Sequence, residues 1–135
     1  MTKTLHSDPW VTLSLDEAAG LVRYQRSEVP YGSLDDLERC HRDLVASARW
    51  LPPGLKLLVD VRRAPPRNDE AFETRVNKFL GALLPRFAGM AVLVKTAVGK
   101  LQTTRLAAER GGTVESYDDE AAALAHLAVS VGTKA

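Results

Sequence analysis

The heptapeptide LKLLVDV, residues 55–61, is apolar except at Lys56 and Asp60. A strand with one wet face alternates apolar and polar residues, whereas a nearly continuous apolar run marks a strand covered on both faces, as in a parallel sheet. MAVLV, residues 90–94, is a second run of this kind. Two buried strands with helical patterns between and around them make the chain an α/β protein.

Upstream of LKLLVDV, Ser33 is placed to cap a helix with Asp35 and Asp36 in its first turn, where the helix dipole favours negative charge. Leu34, Leu37, His41, Leu44, Val45 and Ala48 recur at helical spacing, and Pro52, Pro53 and Gly54 stop the element. Earlier still, Val11, Leu13 and Leu15 alternate, residues 16–20 read as a turn, and Val22 and Tyr24 share one face of a second strand. That pair predicts an antiparallel hairpin.

Downstream, Pro65 and Pro66 form a rigid loop, and Asn68 is positioned to cap a second helix with Asp69 and Glu70 in its first turn. Phe72, Val76, Phe79, Leu80 and Leu83 are its expected buried face. After the strand at 90–94, a helix is expected from about 97 to 110, ended by Gly111 and Gly112. A last strand over 113–117 precedes an alanine-rich helix, capped by Asp118 and carrying Leu124 and Leu127. The expected order is β-β-α-β-α-β-α-β-α in a mixed sheet whose later strands run parallel. All of residues 1–135 belong to one expected domain, with its core at about 10–128 and any disorder confined to the ends.

Hydrophobic residues make up 45% and charged residues 26%, ordinary globular proportions. Eighteen Lys and Arg face 17 Asp and Glu, a net charge of +1. So balanced a chain has no general pull on nucleic acid or anionic membrane, and nucleic acid is not an expected partner. Cys40 is the only cysteine, which removes an internal disulfide and any multi-cysteine metal site. Residues 1–8 hold no apolar core of a signal peptide, and no stretch has the ~20 apolar residues of a membrane span. A cytoplasmic location is expected.

The opening hairpin, the helix start Ser33-Leu34-Asp35-Asp36-Leu37, the strand LLVDV (57–61) and the ending VESYDDEAAALAHL (114–127) together resemble the anti-sigma-factor-antagonist (STAS) fold. The resemblance is to its SpoIIAA-like branch, which shares features with lipid-binding SEC14-type domains, and it extends from Trp10 to about Ala128. It implies a non-enzymatic, bacterial-type signalling regulator that binds a protein partner through the second helix and the loop before it. Family members regulated by phosphorylation carry a serine two residues after the strand-ending aspartate. Here that position is Arg62, and residues 60–68 contain no Ser, Thr or Tyr, so the usual phosphoacceptor is missing.

In open α/β sheets, ligands bind beyond the carboxyl ends of the parallel strands. Asp60 ends one such strand, Arg62, Arg63 and Arg67 lie in the loop after it, and Lys95 and Thr96 lie in the next loop. With helix N-termini beside them, these six residues are the candidate site for an anionic group or an acidic partner. The ordinary alternative is a set of solvated loop charges answered by Asp69, Glu70 and Glu73. A second functional reading is a carrier whose apolar pocket under the sheet edge holds a lipid-like or anionic metabolite.

Other constellations fail on chemistry. Gly99-Lys100 resembles the centre of a phosphate-binding loop, but Val94 and Leu101 stand where the motif needs glycine and a hydroxyl. His6, His41 and His126 have no ligand partners at metal-binding spacing. Cys40 and His41 are neighbours on one helix, so their side chains diverge by ~100° and cannot act as nucleophile and base. Asp118 to Glu120 fit the start of a helix better than paired catalytic carboxylates. No catalytic residue and no cofactor is expected. Cys40 is expected semi-buried, and Trp10 and Trp50 are expected to lock packing.

Overall fold

A computed structural model describes residues 2–128. It shows a mixed α/β fold, one six-stranded sheet with four α-helices. The strands are β1 (Thr2–Ser7), β2 (Val11–Asp16), β3 (Leu21–Arg26), β4 (Lys56–Asp60), β5 (Gly89–Leu93) and β6 (Glu115–Tyr117), lying in the sheet in chain order. The helices are α1 (Leu34–Ala48), α2 (Glu70–Leu83), α3 (Ala97–Glu109) and α4 (Glu120–His126). A 3-10 turn at Leu84–Arg86 follows α2.

β1, β2 and β3 pair antiparallel, and β3 through β6 run parallel. The sheet therefore has a carboxyl edge, where β3, β4 and β5 end, and an amino edge, where they begin. At the amino edge the β2–β3 turn closes on Gly20, whose φ of 65° suits a residue without Cβ. Its carbonyl accepts the Lys56 N–H at 2.9 Å, which starts the parallel ladder.

β4 is buried on both sides, as its sequence predicts. Leu57 and Val59 join Val22, Tyr24, Leu44, Phe79 and Val92 in the larger core under α1 and α2. Leu58 faces the opposite way, into a smaller core with Leu21, Ala91 and Leu93, closed by Ala123 and Leu127 of the α4 segment. α3 packs beside α2 and β6 and buries Leu106 and Ala107.

Several expectations need correction. An additional strand, β1, precedes the expected hairpin; its sequence TKTLHS has one apolar residue, Leu5, which packs partly against the larger core. An edge strand draws its stability from the ladder and needs no apolar alternation. The expected disorder of the ends otherwise falls on Met1 and residues 129–135, which lie outside the described residues. The cap of α2 is Asp69, which accepts from Phe72 N–H, and not Asn68; the cap of α4 is Asp119, not Asp118. In both places two competent neighbours compete, and the one aligned with the third amide of the helix takes the role. Along α2, Phe79 and Leu83 are buried, but Phe72, Val76 and Leu80 are only half-buried. Cys40 is fully buried. Trp10 packs partly on the core and lies 5.4 Å from the Tyr31 ring, whereas Trp50 is 85% exposed and locks nothing.

Because Leu58 is wholly buried in the smaller core, Leu58→Ala is expected to lower unfolding stability by about 2–5 kcal/mol. Leu101→Ala, at a side chain 70% exposed, should change it by about 0.5 kcal/mol or less. Urea unfolding of the two variants beside the parent measures both; equal losses would contradict this assignment of the core.

Candidate functional site

The carboxyl edge collects the six residues singled out in the sequence. Asp60 ends β4, Arg62, Arg63 and Arg67 follow it, and Lys95 and Thr96 follow β5. Each of the three arginines is held by an acid of the same chain. The Arg62 guanidinium forks onto Asp60, with Nε 3.0 Å from Oδ1 and Nη2 2.8 Å from Oδ2, while the Arg62 backbone N–H donates to Oδ1. Burial of Asp60 opposes its ionisation, but these bonds outweigh it and hold the carboxyl below the usual range. Arg62 also reaches Glu120 at 3.5 Å, and Arg23 from β3 binds the same carboxylate at 2.9 Å.

Arg63 donates to Glu28 at 2.7 Å in full solvent. Arg67 donates to Asp69 at 2.6 Å and lies over the Phe72 ring at 5.0 Å. Thr96 caps α3, its hydroxyl accepting from Gly99 N–H at 3.0 Å. Lys95 is exposed and has no ion-pair partner among the described residues. The six residues share an edge, but the three arginines turn onto acids of the same chain and not toward one common point. Of the acids expected to answer them, Asp69 does so through Arg67. Glu73 instead receives Arg105 at 2.6 and 2.9 Å and Gln102 at 2.8 Å.

The sequence reading missed the α3 side of this edge. Gln102 donates to the Arg67 carbonyl at 2.7 Å, fastening the 62–68 loop to α3. Beside it, Val98 and Leu101 are 76% and 70% exposed, with Lys95 and Lys100 next to them in the chain and also exposed. The signal was present in AVGKLQTTRLAAE: Leu106 and Ala107 form the buried stripe, so Val98 and Leu101 belong to a second one. A helix that is apolar on two sides has more than one surface to cover.

A polar and aromatic cluster lies at the same edge under α1. Arg26 is buried and donates from Nη1 to the carbonyls of Trp10, Ser27 and Val29, with its guanidinium 4.6 Å from the Tyr31 ring centroid. The Cys40 sulfur is 3.9 Å from the Tyr31 hydroxyl, and burial, then the Asp8 carboxylate, pushes the thiol up to about 12. The thiolate required for nucleophilic attack is therefore disfavoured. His41 stacks on Phe79 with ring centroids 4.1 Å apart. Burial, then the nearby Arg26 charge, lowers it to about 4, so the ring is neutral at pH 7.

Open clefts lie at the amino edge, away from these groups. One of about 470 Å3 is lined by Leu84, Phe87, Met90, Val114 and Glu115 among others, and one of about 260 Å3 beside it shares Leu84 and Met90. Among the described residues no cluster of His, Cys, Asp or Glu could hold a metal ion, and no helix is long and apolar enough to cross a membrane. Comparison with protein-family models, curated proteins and solved structures finds no match for this chain.

His41 makes stability depend on pH. Its folded pKa of about 4 lies below the ordinary 6.5, so between those values the unfolded chain binds the proton more readily. Stability is expected to fall as pH drops from about 6.5 to 4, by about 3 kcal/mol in all. Asp8 and Asp60, whose carboxyls are held low, lose their contributions only further down, below about pH 4. His41→Phe, which keeps an aromatic ring on Phe79, should flatten the limb between pH 6.5 and 4 in urea titrations. An unchanged slope there would remove His41 as its cause.

Proposed function

We propose that this domain is a non-enzymatic, STAS-like regulatory module that binds a protein partner at the carboxyl edge of its sheet. The contact surface is the 62–68 loop with the start of α2, extended by the first turns of α3. The observation that carries this reading is the exposure of Val98 and Leu101 beside that loop. Adjacent exposed apolar side chains rimmed by polar ones support a contact surface when they form one patch. Lys95 precedes the pair and Lys100 lies between its members in the chain, while nearby Arg62, Arg67 and Arg105 are neutralised within the chain. A segment that alternates apolar and acidic residues fits this surface.

The missing phosphoacceptor has a structural counterpart. Arg62 stands at that position and its guanidinium is joined to Asp60 and Glu120. An Arg62–Asp60 ion pair stands where phosphorylated regulators of the resembled fold carry their serine, which supports binding that does not depend on modification of the loop.

A carrier role is the second reading, favoured by the cleft of about 470 Å3 with Leu84, Phe87, Met90 and Val114 in its wall. It places the ligand at the amino edge and leaves Val98 and Leu101 without a role. Native mass spectrometry separates the readings, since a carrier retains a small molecule of discrete mass on the purified protein.

The partner reading is tested by placing a photo-crosslinking amino acid at position 98 or 101 in cells, with Glu17 at the opposite edge as control. Positions 98 and 101 should give one discrete protein adduct that position 17 does not. With that protein in hand, Leu101→Asp should weaken binding about tenfold or more, because burial of a leucine contributes about 1.5–3 kcal/mol. Lys95→Glu should weaken it in a salt-dependent way. Identical adducts from positions 17 and 98, or none from 98 and 101, would defeat the proposal.

A further inference from the structure

The amino edge carries a second feature that the partner surface does not use. Trp50 follows α1 and is 85% exposed, the most exposed of the large apolar side chains among the described residues. Its loop is fastened to the 3-10 turn after α2, where Arg86 Nη1 donates to the Arg49 carbonyl at 3.4 Å. The same turn supplies Leu84 to the wall of the 470 Å3 cleft, with Phe87 just after it. One edge of one chain thus displays a free indole and an open cleft partly walled by apolar side chains. The cleft falls in the range of roughly 300–1,000 Å3 that accepts whole small molecules, so an indole is within its capacity.

We propose that a second copy of this chain docks on the amino edge, with Trp50 of each copy seated in the Leu84–Phe87–Met90–Val114 cleft of the other. Trp50 precedes β4, and the cleft opens at the starts of β5 and β6, so indole and cleft are offset across the sheet. A two-fold axis midway between them exchanges the two positions, which is the self-complementary relation of a symmetric dimer. Charge agrees with shape. Arg49 next to Trp50 is exposed, as is Glu115 on the rim of the cleft, and neither has an ion-pair partner among the described residues. The exchange sets Arg49 of one copy toward Glu115 of the other. An anionic lipid surface would repel Glu115 and leave the cleft empty, so it fits less well.

Each indole buries about 150–250 Å2, and a standard interface needs about 1,200–2,000 Å2 in total. The two indoles are therefore anchors within a larger contact that includes the Pro52–Pro53 loop and the 3-10 turn. Area alone does not set affinity, so the dimer is sought at dissociation constants on the order of 1–100 μM, the weak end for interfaces of standard size.

The test is sedimentation equilibrium of the full chain between about 1 and 500 μM, which spans that range of affinity. The expected result is a monomer–dimer equilibrium that weakens at least tenfold in Trp50→Ala, whose folding is checked by circular dichroism. Glu115→Arg should also weaken it, and adding Arg49→Glu to that variant should restore it. A monomer throughout, or a dimer unaffected by Trp50→Ala, overturns the proposal. Loss with Trp50→Ala but no rescue by the charge exchange overturns the reciprocal arrangement. A monomer that retains a small molecule assigns the cleft to that ligand instead.

Discussion

The fold depends on β4 being covered twice. Leu57 and Val59 are hidden by α1 and α2, an ordinary outcome for a strand between two crossover helices. Leu58 needs a second cover, and α4 supplies it with only seven residues. So short a helix has little stability of its own. Its position is fixed at both ends by contacts with the sheet: Glu120 takes Arg23 and Arg62 at its start, and the Lys56 ammonium donates to the Leu127 carbonyl just past its end. Ala123 and Leu127 then close the smaller core over Leu21, Leu58, Ala91 and Leu93.

The same arrangement decides which charges are available at the carboxyl edge. Arg62 joins Asp60, which is 7% exposed, to the α4 anchor, so its role is to hold the second layer in place. Removing it would leave a buried carboxylate without its principal partner, a change felt first as instability. Arg67 and Arg105 are likewise committed, one to the cap of α2 and the other to Glu73. An edge that looks strongly basic in sequence is therefore largely neutral in structure, and the apolar exposure of Val98 and Leu101 becomes its distinguishing feature.

The sequence disclosed what short-range pattern controls. LKLLVDV announced a strand buried on both sides, and Ser33 announced its helix, because burial period and capping are local. β1 escaped because a strand with only Leu5 as an apolar residue takes its stability from pairing with β2. The pairing of the arginines escaped for a different reason. Glu28 lies 35 residues from Arg63, and Glu120 lies 58 from Arg62, separations at which sequence carries no signal without the fold. Trp50 shows the limit of composition: a large ring suggests burial, but whether a neighbour covers it depends on where α1 ends.

The two edges of the sheet are separated by the length of β4, five residues or roughly 17 Å of extended chain. Contacts at one edge therefore need not obstruct contacts at the other. A symmetric dimer through the amino edges turns the two carboxyl edges outward, each with its own Val98 and Leu101. A partner with a single matching segment would gain nothing from this arrangement. A partner carrying two such segments on a linker long enough to reach both edges would bind the second one intramolecularly, at an effective concentration set by that linker. Self-association at Trp50 would then raise affinity at Leu101 without any change in the residues that touch the partner.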